Sequence, residues 1–172
     1  LEELLLFILD RAQKTGIKDL SSFQLFKIPY IIQVFSIKYA GKYFLPNTVF
    51  IREKNGPISM DIYSTIEGLI EKKYIDFDIS KKEDYQFPRH CHKLAKKLPK
   101  LSFSQGEIIF LDNFLSKLLP LSQKKLKDYV YNTEPMKEIT KKDKNGIKKG
   151  TVINFSSVLV DPDVVDAYTD AI

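Results

Sequence analysis

The run "RHCHK", residues 89–93, holds both histidines and the only cysteine of the chain. Imidazole and thiolate are the usual ligands of zinc, and the same pair builds cysteine nucleophiles. In an extended backbone His90 and His92 share one face and Cys91 points away. Two ligands on one short segment do not close a zinc site, which draws three or four from separated stretches. Cys91 is also too near either histidine in sequence to form a nucleophile–base pair by itself, and no G-x-S-x-G occurs. Carboxylates are plentiful, yet none marks an acid–base pair. The sequence therefore predicts no catalytic residue, no metal and no cofactor, and "RHCHK" reads as a polar loop.

Asn55-Gly56-Pro57 is the second place where chemistry could sit, because glycine turns before helices cradle phosphates. A Walker loop needs two spaced glycines and then Lys and Ser/Thr, and a dinucleotide loop needs G-x-G-x-x-G. Here one glycine is followed by proline, which has no amide to offer. The turn reads as architectural instead. Gly56 supplies unusual backbone angles, and Pro57 is expected to set φ for entry into a helix.

The elements that must position these residues follow from periodicity and capping. Leu1, Leu4, Leu5, Ile8 and Ala12 predict an amphipathic helix over 1–14. Ser21 with Gln24, and Leu20 with Leu25, predict a capping box and a hydrophobic staple opening a helix that runs to about Ala40 and bends at Pro29. A short strand is expected over 48–53, a helix from Ile58 through Ile70 and a second strand over 74–79. Residues 80–101 read as irregular. Ser102 with Gln105, or Ser104 with Glu107, opens the next helix, and Ser122 caps another. A turn of helix is expected near 133–142, an Asn-Gly hairpin over 142–155, and a terminal helix begun by Asp161 and Pro162. The fold class is mainly α (α+β): one compact helical domain over 1–172 with short strands or hairpins.

Composition bounds the rest. The chain has 172 residues and a net charge of +5, with 12 Phe, 9 Tyr and no Trp, so an aromatic core is expected. One cysteine excludes a disulfide framework and suits a reducing cytoplasm. The opening "LEELLLFILDRAQKTG" lacks the basic start of a signal peptide, and no apolar run is long enough for a membrane helix. The basic excess is lysine, spread over 92–100, 124–127 and 141–149, and only Arg11, Arg52 and Arg89 are arginines. Lysine can hold phosphates, but base readout favours Arg, Asn and Gln. DNA binding is thus permitted rather than required.

Three blocks carry a resemblance: "FQLFKIPYII" (23–32), "GKYFLPNTVFIREKNGPISMDIYSTIEGL" (41–69) and "LSFSQGEIIFLDNFLSKLLPLSQKKLKDYVYNTEPMKEI" (101–139). In order and spacing they resemble the SocA-like antitoxin family, the Panacea domain, also met in phage-associated GepA-type proteins. The resemblance spans about residues 1 to 160. By position, Lys27 and Tyr30 match the Lys and Tyr of the first block, and Gly56, Pro57 and Tyr63 match the Gly-Pro and helix Tyr of the second. Asn132 stands where the family has His, Met136 where it has Trp, and Pro29 where it has Leu. The His-to-Asn change loses titration near neutral pH.

The resemblance implies a mainly helical, non-enzymatic antitoxin of a type II toxin–antitoxin pair, which neutralises a cognate protein toxin by contact. It also implies, from some relatives, delivery of the toxin to a bacterial protease. The alternative is a DNA-binding regulator of a phage or mobile-element operon. Lys27, Tyr30, Asn55, Gly56, Pro57, Tyr63, Tyr131, Asn132, Pro135 and Met136 are the candidate partner-binding residues. "YNTEPMKEI", 131–139, is expected to present its side chains at a corner, with core closure by Tyr131 and Met136 as the competing expectation.

Overall fold

Residues 4–9 read Leu-Leu-Leu-Phe-Ile-Leu, and a helix built from them has no face left for water. A computed structural model, which describes residues 1–80, 89–142 and 149–161, shows the outcome. Helix α1, Glu2–Lys14, buries every residue from Leu4 to Asp10 together with Ala12. The amphipathic expectation is therefore corrected: α1 is a core helix, and its polar ends are tied down by charge. Asp10 holds Arg11 and Lys14 at 2.7 and 2.8 Å, and Arg11 reaches across to Asp112 at 2.6 Å. The Ser102 hydroxyl donates to Glu3 at 2.6 Å.

The remaining elements are β1 (Leu20–Ser21), α2 (Ser22–Ala40), β2 (Ile51–Glu53), β3 (Gly56–Ile58), α3 (Met60–Glu71), β4 (Ile75–Ser80), β5 (Arg89–Leu94), α4 (Gln105–Leu118), α5 (Gln123–Tyr131), α6 (Glu134–Lys142) and β6 (Thr151–Val152). This is an α+β fold. Helix α2 opens on the expected capping box of Ser21 and Gln24, with Leu20 and Leu25 both buried. It runs as one helix through Pro29 and closes on Gly41 at φ 62°, a left-handed cap that glycine adopts without a Cβ penalty. At α4 the choice falls to Ser104 with Glu107, since Ser102 is engaged by Glu3. Ser122 caps α5 by accepting from the Lys125 amide.

Two small antiparallel sheets flank the helices, one in the order β1-β5-β4 and one in the order β3-β2-β6. The expectation of an irregular stretch from 80 to 101 is corrected here. "RHCHK" belongs to β5, paired along its length with β4 from Arg89↔Ser80 to Leu94↔Ile75, and with β1 at Leu20↔His92. Its strand character comes from pairing on both sides, with nearby β4 and distant β1, rather than from β-branched residues. Pro57 is corrected too. It lies in β3 opposite Arg52, and α3 begins at Met60 rather than Ile58. The strand expected over 48–53 is confined to 51–53. The Asn-Gly turn at 145–146 and the helix expected after Pro162 lie outside the described residues. Thr151 pairs with Arg52, and Val152 with Ile51.

Candidate partner-binding site

Lys27 lies on α2 where the helix faces the core, and only 2% of its surface is exposed. A buried ammonium needs acceptors for its N–H groups or loses its proton. Its Nζ donates to the Pro57 carbonyl at 2.6 Å and stands 4.9 Å from the centre of the Phe23 ring. Burial lowers its pKa to about 7, helped by the charge of Lys127. The amine is thus a hydrogen-bonded strut between α2 and the β2–β3 hairpin, and it gives up its proton more readily than an exposed lysine.

The hairpin tip is Lys54-Asn55. Gly56 follows with φ at 95°, while neither tip residue takes a positive φ. That is the arrangement in which an ordinary turn is completed by a left-handed glycine. A Cβ on Gly56 would stand 3.5 Å from Lys27 Cε and 3.5 Å from Tyr131 Cε2. Helix α5 clasps the tip from outside: the Tyr131 hydroxyl donates to the Lys54 carbonyl at 3.3 Å, and Lys127 Nζ to Asn55 Oδ1 at 3.5 Å. Lys27, Asn55, Gly56, Pro57 and Tyr131 therefore form one cluster.

Tyr30, one turn beyond Lys27, continues it inward. Its hydroxyl donates to Thr133 Oγ1 at 2.8 Å, since the Thr133 hydroxyl itself donates to the Val130 carbonyl at 2.7 Å. Burial raises the Tyr30 pKa, so the phenol stays neutral. The ring packs on Phe50 and Phe155 at 5.5 and 5.8 Å. Lys127 and Thr133 were not singled out by sequence. The available signal was the need of a buried Tyr and Lys for partners, but not where those partners lie.

The other candidates are not in this cluster. Met136 is wholly buried and Pro135 is buried, so the corner presentation expected of residues 131–139 is corrected in favour of core closure. Asn132 is exposed and its amide donates to the Asp128 carbonyl of its own helix at 2.9 Å. Tyr63, on α3, packs on Phe26 with ring centres 4.7 Å apart and lines a separate groove of about 320 Å³ with Phe77, His90 and His92.

In that groove the two histidines do share a face, bracketing Phe77 at 5.2 and 5.4 Å. His92 Nε2 meets Ser22 Oγ at 2.9 Å, and burial followed by the charge of His90 lowers its pKa to about 4. A serine–histidine contact resembles the start of a nucleophilic pair, but among the described residues Nδ1 of His92 is buried with no partner to orient the ring. Cys91, buried, has its thiol pKa raised by burial and by Asp19. Among the described residues no third His, Cys, Asp or Glu joins any of these in a metal-binding group.

The arrangement positions and braces; the largely buried cluster around Lys27 ties α2, the hairpin and α5 into one unit. No curated protein and no solved structure matches the chain. Residues 25–136 match the family described as Antitoxin SocA-like, Panacea domain. That span takes in Lys27, Tyr30, the whole hairpin, Tyr131 and Met136, which is well over half of the chain. By its sequence over these residues the chain belongs to the SocA-like antitoxin family, Panacea domain.

Proposed function

We propose that this chain is a type II antitoxin that neutralises a protein toxin encoded beside it, by direct protein–protein contact in the cytoplasm and without catalysis of its own. The observation that carries this reading is the family match over residues 25–136. The geometry agrees with a binding role, because the residues that match the family motif brace the fold rather than converge on a reacting atom. Delivery of the bound toxin to a protease is a further step that the same contact would permit.

A DNA-binding regulator is the weaker reading. Lys14, Lys38, Lys72 and Lys93 are each paired with a carboxylate, on four different elements or their ends, rather than gathered into one basic stripe. Among the described residues no helix is long and apolar enough to cross a membrane.

The test is co-expression. The adjacent gene alone should arrest growth, and this chain should restore it while co-purifying with the gene product. A harmless neighbour, or rescue without a physical complex, would sink the direct-contact reading.

A further inference from the structure

Helices α2, α4 and α5 leave between them a groove of about 650 Å³ with an aromatic floor. Phe35 stacks on Tyr39 with ring centres 5.3 Å apart, meets Phe114 at 5.0 Å and meets Tyr129 at 5.9 Å. Rings that served only the core would be covered, yet Tyr129 remains 40% exposed and Phe35, Tyr39 and Phe114 are half-buried. Half-covered Tyr and Phe supply large contact area at little cost in side-chain entropy, and such residues anchor protein interfaces.

Charge says what could cover them. Among the described residues the groove's lining includes Lys117 and no carboxylate. Lys38 stands beside Tyr39, with its Nζ 5.9 Å from that ring, and is shared with Glu134 at 3.9 Å. Lys125 lies one turn before Tyr129 on α5 and is exposed. Lys117 thus lines the groove and Lys38 stands beside its floor, while Lys125 shares the Tyr129 side of α5 by helical spacing. A complementary occupant has an apolar or aromatic anchor with carboxylates around it. A single strand of nucleic acid would also answer to lysine and rings, but stacking needs open ring faces. Here Phe35 spends its face on Tyr39, and Phe114 tilts against both Phe35 and Phe110. A channel between helices suits a further helix, laid in by its apolar stripe.

We infer that the α2–α4–α5 groove is the toxin-docking surface, and that it takes an acidic amphipathic helix of the toxin. This rests on the antitoxin reading proposed above.

The probe is the purified product of the adjacent gene, in a non-toxic variant, titrated against the full chain. Tyr129→Ser and Lys117→Glu should each weaken binding tenfold or more with a melting temperature close to wild type. Lys97→Glu, the same charge change outside the groove, should not. Lys117 is exposed, so its variant stays informative even if Tyr129→Ser unfolds. Binding by the parent chain that both variants retain would overturn the groove and leave the antitoxin reading standing. No binding by the parent chain would overturn both. Equal weakening by Lys97→Glu would reduce the effect to general charge attraction and overturn the groove. The groove also fails if Tyr129→Ser keeps its affinity for the toxin but splits a dimer of this chain, or but loses a single-stranded oligonucleotide.

Discussion

Lys27 holds a proton that the fold would rather release. Its pKa falls to about 7 in the fold, from an ordinary value of 10.5, because burial penalises the cation. Between those two values the unfolded chain binds a proton that the folded chain does not, so this group makes stability rise with pH; below about pH 7 both states are protonated and the slope vanishes. Urea unfolding at about pH 7 and pH 9.5 should show the parent gaining roughly 1–3 kcal/mol relative to Lys27→Met over that interval. Equal slopes for the two proteins would mean that Lys27 keeps an ordinary proton affinity. Tyr30 works in the opposite direction only at higher pH, since its raised pKa makes the fold retain a proton that the unfolded chain sheds. Asn132 is the contrasting residue. Exposed, and bonded only to the carbonyl of Asp128 among the contacts seen, it should tolerate Asn132→Ala with a change within about 0.5 kcal/mol. A large loss of melting temperature would show that its amide does more than finish α5.

At the scale of elements, the β2–β3 hairpin is held by one glycine conformation and by contacts from two helices. Gly56→Ala places a methyl at ordinary contact distances, so the cost there is the positive φ rather than a clash: about 1–2 kcal/mol by thermal or urea unfolding. Gly56→Val should cost more, because its branches point into the space of Lys27, Tyr131 and Val130. An Ala variant as stable as the parent would mean that the hairpin relaxes into another turn. What the sequence made legible was local. The capping boxes at Ser21–Gln24 and Ser104–Glu107 and the Ser122 cap each span four residues, and the starts of α2, α4 and α5 could be placed from them. Strand β1 was hidden because its partner β5 lies about seventy residues away, and β5 because its sequence is polar even though its longer ladder is with nearby β4. The site was half legible for the same reason. Lys27 and Tyr30 stand in a recognisable helix, but Tyr30's partner Thr133 lies 103 residues away, and nothing near Tyr30 encodes it.

Over the whole molecule, positive charge is diluted by pairing. Among the described residues Asp76 takes Lys93, Glu2 takes Lys72 and Asp10 takes Lys14, and on the antitoxin reading the remaining lysines are not a track for a duplex. Affinity for random duplex DNA, followed by fluorescence anisotropy, should be weak and should vanish near physiological salt. Nanomolar, sequence-selective binding under those conditions would move the regulator reading ahead of the antitoxin reading. The charge that remains is best used at short range, around a desolvated apolar contact, where it sets partner choice and approach rate.

The burial of α1 has a consequence for how the protein comes into being. Its neighbours are α2, α3, β5 and α4, all later in the chain. During synthesis the segment from Leu4 to Leu9 leaves the ribosome before any of them, and it cannot be shielded fully until residues near Leu118 have followed. For that interval the nascent chain carries an uncovered stretch of six apolar residues, the kind of segment that chaperones hold and proteases find.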